Sequence, residues 1–108
     1  YLKNVYDVLS KHFKLGRIRI LKLGSRTSLS FHRDPEARIH IPIITNPSAL
    51  MVVNNEAFHM PANGSAYFVD TTKYHTALNG GNVERVHLVA TILDDNKEEE
   101  LYTIYGGD

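Results

Sequence analysis

Residues 83–93 read Val-Glu-Arg-Val-His-Leu-Val-Ala-Thr-Ile-Leu and contain the clearest strand pattern in the chain. Its apolar residues recur at every second position, which predicts a β-strand because side chains two apart point to the same face. Arg85 and His87 share one face. The other face is apolar and is formed by Val86, Leu88, Ala90 and Ile92. We therefore expect a strand that is buried on both sides, with its polar groups directed into an interior cavity.

Residues 37–45 repeat this pattern. Arg38 and His40 alternate with Ile39, Ile41 and Ile43. Cationic groups directed into a cavity are costly unless something anionic meets them, and the planar fork of an arginine suits a carboxylate. A dicarboxylate would therefore satisfy two arginines. The alternative is that Arg38 and Arg85 reach solvent at strand ends or pair with the neighbouring Glu36 and Glu84.

The rest of the chain favours β-structure around these two strands. Short segments rich in Ile, Val and Leu are separated by turn signals, and they predict strands at 17–23, 37–45, 50–53, 65–69, 75–78 and 83–93. Apolar residues at helical spacing predict an N-terminal helix over 1–15, which Gly16 stops. Several closely spaced strands after one helix indicate a mainly β sandwich or barrel in a single domain over 1–108, with a polar tail over 94–108.

Composition limits the function classes. The 108 residues are 43% hydrophobic and 22% charged, as in ordinary globular proteins, and include no cysteine. Disulfides, thiolate metal sites and a cysteine nucleophile are therefore excluded. No apolar run approaches the roughly 20 residues of a spanning helix, and no stretch resembles a signal peptide. We expect a soluble, cytoplasmic protein that does not associate with membranes.

The net charge is zero but unevenly distributed. Residues 1–38 contain nine Lys and Arg against three acids, whereas residues 39–108 contain three against nine. The basic segment could bind phosphates, but it lacks interleaved aromatic residues and the signature of a known nucleic-acid module. An internal match with the acidic tail, or simply solvated faces, explains the charge better, so nucleic acid is not the expected partner.

Three residues have the chemistry of a metal site. His32 and Asp34 are two apart, so on an extended chain both face one ion while Arg33 points away. His75 follows forty-one residues after Asp34. Two imidazoles and one carboxylate form the facial set of non-heme Fe(II) oxygenases, which leaves coordination positions open. Arg85, ten residues after His75, could hold an anionic co-substrate nearby.

A family resemblance rests on the same residues. The motifs His32-x-Asp34, Arg38-Ile39-His40-Ile41-Pro42, His75 and Arg85-Val86-His87-Leu88-Val89 resemble the aspartyl/asparaginyl β-hydroxylase family, including its bacterial free-proline cis-hydroxylases. The resemblance runs from about Arg17 to Leu93. It implies a double-stranded β-helix, or cupin-like jelly roll, that binds Fe(II), the co-substrate 2-oxoglutarate and dioxygen.

The resemblance assigns roles residue by residue. Positions matching the family's iron ligands are His32, Asp34 and His75. Arg85 matches the residue that pairs with the far carboxylate of 2-oxoglutarate, and Arg38 and His40 match positions near the co-substrate at the metal. Asp34 is the carboxylate that some animal members lack, so this chain looks closer to the bacterial branch. Leu21 departs from the family where some members place a polar co-substrate contact.

The function expected from these assignments is hydroxylation of an amino-acid side chain, free or within a peptide, and a homodimer is possible. Two other functional hypotheses remain open. One is a non-catalytic metal-binding cupin-like module used for binding or sensing, and the other is an interaction module acting through the basic segment. His87 shares the face of Arg85 and either borders the co-substrate or is a core imidazole. His12 and His59 are expected to be structural or exposed. Tyr67 and Tyr74 flank the distal ligand and could shape the pocket, but the favoured interpretation is that they belong to the aromatic core.

Overall fold

The computed structural model describes residues 14–93 and, beyond them, the backbone of one short strand. Within these residues all regular structure is β, and none of them forms a helix that could span a membrane. The strands are β1 (Leu15–Leu23), β2 (Thr27–Ser28), β3 (Arg38–Ile44), β4 (Ala49–Val53), β5 (Glu56–Phe58), β6 (Tyr67–Val69), β7 (His75–Asn79), β8 (Arg85–Ile92) and β9 (Ile104–Tyr105).

The strands form two sheets. One has the order β1-β8-β3-β6-β9 and the other the order β2-β7-β4-β5. Every pairing is antiparallel except that between β6 and β9. Consecutive strands alternate between the sheets over much of the chain, which is the arrangement of a jelly roll. The predicted mainly β fold is therefore confirmed.

The predicted N-terminal helix is not supported. Residues 1–13 lie outside the described part of the chain, and Leu15, its last predicted residue, begins β1 and pairs with Ile92. Gly16 lies inside β1 and does not terminate a helix. The backbone N–H of Leu93, the residue after β8, donates to the carbonyl of Lys14, the residue before β1, at 2.8 Å. The pairing of β1 with β8 therefore continues one residue beyond Leu15 and Ile92. Most of the predicted polar tail also lies outside the described residues.

Both faces of the five-stranded sheet are buried along most of β3 and β8, as the alternation in these two strands predicts. One face carries a cluster of Ala37, Ile39, Ile41, Phe68, Leu88 and Ile92. The opposite face meets the four-stranded sheet through a second cluster of Leu23, Met51, Val53, Met60, Tyr67, Val69 and Ala77. Burying side chains of this size contributes roughly 1.5–3 kcal/mol each. Arg38, His40, Arg85 and His87 lie on this inner face, which the strand register places beside the second cluster.

One position in β3 differs from its prediction. Ile43 is expected to extend the apolar face but is 40% exposed. The register between β3 and β8 shifts between Pro42 and Ile44, which indicates a bulge. A bulge adds one residue to a strand and turns its side chain out of the alternation. The period of two therefore fails at the end of this strand.

A tight turn accounts for β5, which the strand predictions omit. The Asn54-Asn55 pair joins β4 to β5, and both residues have positive φ, at 51° and 69°. Positive φ at both central residues is the requirement of a type I′ hairpin turn, and asparagine tolerates it well. The turn signal at this pair therefore marks a hairpin.

A buried asparagine fixes the turn between β7 and β8. Asn79 is 1% exposed, and its side-chain amide donates to the carbonyls of Leu23, Gly24 and Val83. Its Oδ1 accepts hydrogen bonds from Asn46 Nδ2 and the Gly81 backbone, both at 3.1 Å. A Cβ on Gly81 would overlap the Asn46 amide. This network holds the segment that leads from β7 to β8.

Candidate metal centre

The structure brings together the three residues predicted to bind a metal. His32, Asp34 and His75 each offer one ligand atom, and these atoms all lie within 4.8 Å of one another. Asp34 Oδ1 is 3.8 Å from His32 Nε2, and Asp34 Oδ2 is 3.3 Å from His75 Nε2. His75 is buried, whereas His32 and Asp34 are partly buried, so the cluster lies between the interior of the fold and its surface.

Backbone pairing places these residues next to one another. His32 and His75 form an antiparallel bridge in which each backbone N–H donates to the carbonyl of the other at 3.0 Å. The Asp34 N–H donates to the carbonyl of Thr71 at 2.9 Å. Thr71 is 1% exposed, and its hydroxyl donates to the carbonyl of Glu36 at 2.8 Å. The sequence pattern does not indicate that Thr71 holds the Asp34 segment, because this contact joins distant segments of the chain.

Both imidazoles are oriented for ligation. His32 Nδ1 lies 2.8 Å from the carbonyl oxygen of Ser30, and His75 Nδ1 lies 2.9 Å from that of Lys73. A carbonyl only accepts, so each Nδ1 carries the hydrogen and each Nε2 has a free lone pair. Metal-binding histidines are commonly fixed in this way by a backbone carbonyl. The two Nε2 atoms, and not the Nδ1 atoms, are therefore the ligands.

Asp34 has an oxygen that the protein leaves unsatisfied. Its buried Oδ2 has no hydrogen-bond donor and lies 3.3 Å from His75 Nε2. An unsatisfied buried acceptor is costly. Asp34 Oδ1 lies 3.4 Å from a terminal nitrogen of Arg38, which leaves Oδ2 available. A metal bound between Oδ2 and the two Nε2 atoms would satisfy all three groups, so the donor set fits a divalent ion.

A second charged group lies inside the barrel. Arg85 is 5% exposed, and burial lowers its pKa from 12.5 to about 10. Its Nε has no hydrogen-bond partner, and one terminal nitrogen is 4.0 Å from Met51 Sδ. None of the ion pairs among residues 14–93 involves Arg85, so neither solvent exposure nor pairing with Glu84 occurs there. The guanidinium therefore presents unused donors to an anion.

A family model identifies the protein family of this chain. The model of the aspartyl/asparaginyl beta-hydroxylase family matches residues 1–94. This chain belongs to that family. No curated protein matches it. The resemblance inferred from the metal and arginine motifs is therefore confirmed.

Solved structures show the same fold at low identity. A predicted oxalate decarboxylase from Thermotoga maritima is 21% identical with a TM-score of 0.61, covering 82% of this chain and 74% of the other. A cupin domain from Bordetella pertussis is 16% identical with a TM-score of 0.62, covering 75% and 84%. A cupin-2 protein from Shewanella frigidimarina is 9% identical with a TM-score of 0.56, covering 86% and 93%. These likenesses confirm the cupin-like jelly roll of this hydroxylase-family chain.

Two further histidines lie in the interior of this family member. His40 is 5% exposed and His87 is 2% exposed, and their Nδ1 atoms are 3.0 Å apart. Burial and then the charges of His87, Arg85, Arg38 and His75 lower the pKa of His40 well below 6.5. Burial and then the charges of Arg85 and His59 lower the pKa of His87 to about 3. Both rings are therefore neutral near pH 7.

The remaining candidates in this hydroxylase-family chain are structural or exposed, apart from His12, which lies outside the described residues. His59 Nδ1 lies 2.9 Å from the carbonyl oxygen of Ala49, which holds the ring in place. Tyr67 belongs to the inner apolar cluster. The predicted core position of Tyr74 is wrong, because this residue is 63% exposed and the Arg33 guanidinium lies 5.2 Å from the centre of its ring. Arg33 thus points away from the metal cluster, as predicted.

Proposed function

We propose that this chain is an Fe(II)- and 2-oxoglutarate-dependent oxygenase that hydroxylates an amino-acid side chain, free or within a peptide. The observation that carries the proposal is the pairing of a two-histidine, one-carboxylate cluster with a buried arginine that lacks an acidic partner among the described residues. When bound, the iron would couple decarboxylation of 2-oxoglutarate to succinate and carbon dioxide with transfer of one oxygen atom from dioxygen into a C–H bond.

The metal ligands would be His32 Nε2, Asp34 Oδ2 and His75 Nε2. A facial set of this kind is typical of non-heme Fe(II) oxygenases and leaves positions for co-substrate and dioxygen. The backbone carbonyls of Ser30 and Lys73 fix the two rings, and Arg38 holds the second oxygen of Asp34. The chain thus orients each ligand before the metal binds, which reduces the rearrangement needed on binding.

Arg85 would bind the far carboxylate of 2-oxoglutarate. Its position on the inner face of β8 lets an anion satisfy donors that the protein leaves unpaired. A charge-assisted, bidentate pair is among the stronger hydrogen-bonding arrangements. Leu21 pairs with His87 across β1 and β8 and lies on this same face, so it adds an apolar contact and no hydrogen bond. The co-substrate would therefore depend more heavily on Arg85 here than in members with a polar residue at that position.

Arg38 and His40 would bind the end of the co-substrate nearer the metal. Arg38 already contacts Asp34, and its Nε is buried without a hydrogen-bond partner. His40 lies two residues further along the same face of β3 and is buried. Charge pairs inside a site from which water is excluded are stronger than in solution. These residues would thus fix the orientation of the keto acid at the metal.

A test separates this function from that of a metal-binding module without catalysis. The protein is incubated anaerobically with Fe(II) and 2-oxoglutarate, and then exposed to oxygen with a panel of amino acids and peptides. The proposal predicts 2-oxoglutarate-dependent colour, succinate, and a mass gain of one oxygen in one panel member. Arg85→Ala should abolish the colour and retain metal binding. Metal binding without any effect of 2-oxoglutarate would instead identify a binding or sensor module.

A further inference from the structure

The buried histidine pair constrains which ring nitrogens carry hydrogen. His40 Nδ1 and His87 Nδ1 are 3.0 Å apart, and the rings meet edge to face at 85°. A neutral imidazole has one N–H and one bare nitrogen. One Nδ1 must donate and the other must accept, because two hydrogens or two lone pairs at this distance would repel. The two residues are therefore opposite tautomers.

The proposed acceptor decides which ring donates. His40 lies on the same face of β3 as Arg38, which contacts Asp34 of the metal cluster. A His40 that donates to a carboxylate there carries its hydrogen on Nε2, the ring atom that faces away from His87. His40 Nδ1 is then bare and accepts, and His87 Nδ1 donates.

We propose that His87 is a positioning residue, which holds His40 in the tautomer whose Nε2–H donates to the carboxylate of the co-substrate beside the metal. The acceptor and the choice of tautomer rest on the proposed function, whereas the requirement that the two rings be opposite tautomers rests on the histidine pair alone. A carboxylate only accepts hydrogen bonds, so the opposite tautomer of His40 would turn a lone pair toward it. His87 thus acts through His40 and does not touch the co-substrate itself.

The proposal gives His87 a role that apolar packing could not supply. An aliphatic side chain could fill the same volume between the sheets, but it would leave His40 Nδ1 without a donor. His40 would then be free to adopt either tautomer or to bind a proton. Burial is the largest cause of the lowered pKa of His40 and His87 is the second, so loss of His87 would affect both the tautomer and the proton affinity of this ring.

The first test uses the metal-free wild-type protein and needs no ligand. Histidine side chains labelled with ¹⁵N report which nitrogen carries the hydrogen through their chemical shifts and long-range proton correlations. We expect His40 with a protonated Nε2 and a bare Nδ1, and His87 with a protonated Nδ1 and a bare Nε2. The reverse assignment, or a protonated His40 at neutral pH, would overturn the proposal.

The second test compares two variants. His87→Asn keeps an amide donor near the position of Nδ1, whereas His87→Leu keeps the volume and removes the donor. The dissociation constant of 2-oxoglutarate is measured by calorimetry on Mn(II)-loaded protein. We expect His87→Leu to weaken binding about tenfold, because a hydrogen bond to a charged group becomes poorly oriented. His87→Asn should recover most of the affinity and keep the His40 tautomer.

The outcomes separate the two proposals. Equal affinity in wild type and His87→Leu would overturn the positioning role, and so would a His87→Asn variant no better than His87→Leu. If wild type fails to bind 2-oxoglutarate while His40 shows the expected tautomer, the proposed function and the carboxylate acceptor are wrong. Affinity for Mn(II) alone is the control, because neither variant alters a metal ligand.

Discussion

Arg85→Met should stabilise the metal-free protein while it removes co-substrate binding. Lowering the pKa of a guanidinium from 12.5 to about 10 means that burial disfavours its charged form by about 3 kcal/mol. Arginine is charged at pH 7 in both the folded and unfolded states, so this penalty opposes folding there. Replacing a buried charge by an apolar side chain of similar length removes it, for a net gain of about 1–3 kcal/mol.

The same substitution should weaken 2-oxoglutarate binding by at least about a hundredfold. Losing one member of a buried charge pair costs about 3–5 kcal/mol, because the other charge is left unpaired. Thermal unfolding of the metal-free protein measures the first effect, and calorimetry with Mn(II)-loaded protein measures the second. A gain of 1 kcal/mol corresponds to roughly 4–8 °C in a domain of this size.

A matched control is Arg17→Met, which makes the same change at an exposed position of β1. It should change neither the melting temperature nor the dissociation constant by a measurable amount. The opposite outcome would be an Arg85→Met variant that melts below the wild type and binds 2-oxoglutarate with unchanged affinity. That result would mean that the guanidinium is satisfied within the protein and holds no anion.

Three further predictions concern the metal, the turn and the acid response. Asp34→Ala should weaken Mn(II) binding by at least about a hundredfold, since it removes a ligand; calorimetry measures this, and an unchanged affinity would exclude Asp34 from the site. Gly81→Ala should lower the free energy of unfolding by about 1–3 kcal/mol because the added methyl group overlaps the Asn46 amide. The control Gly80→Ala meets only ordinary contacts and should change the free energy of unfolding by less than about 0.5 kcal/mol. Urea unfolding compares the two variants, and equal unfolding midpoints would contradict the overlap. His87 has a pKa of about 3 in the folded state, so only the unfolded state binds its proton as the pH falls from 6.5 towards 3. This should lower the free energy of unfolding by about 1.4 kcal/mol per pH unit in that range and have no effect above pH 6.5. Urea unfolding across the range should show that His87→Asn reduces this pH dependence of the free energy of unfolding by the same amount.

Much of the site could be predicted because it depends on short-range periodicity. Residues two apart share a face, which places Arg85 with His87 on β8 and Arg38 with His40 on β3. The same rule explains why His32 and Asp34 converge although His32 forms only an isolated bridge. The inward direction of these groups follows from the apolar residues between them, which must also be buried.

The unpredicted features depend on register between distant segments. The His40–His87 contact requires a particular alignment of β3 with β8, in which Pro42 lies opposite His87. No local pattern specifies that alignment. The bulge that exposes Ile43 and the role of Thr71 beside Asp34 likewise arise from pairing across the fold. At Leu15, pairing with β8 overrides the helical spacing that the sequence suggests.

The proposed function requires one metal ion and one dicarboxylate to bind together inside this jelly roll. An anaerobic crystal structure with Fe(II) and 2-oxoglutarate would show both. We predict a single ion bonded to His32 Nε2, Asp34 Oδ2 and His75 Nε2, with the far carboxylate of the co-substrate on Arg85. An ion bound elsewhere, or a co-substrate carboxylate out of reach of Arg85, would rule out this mode of binding.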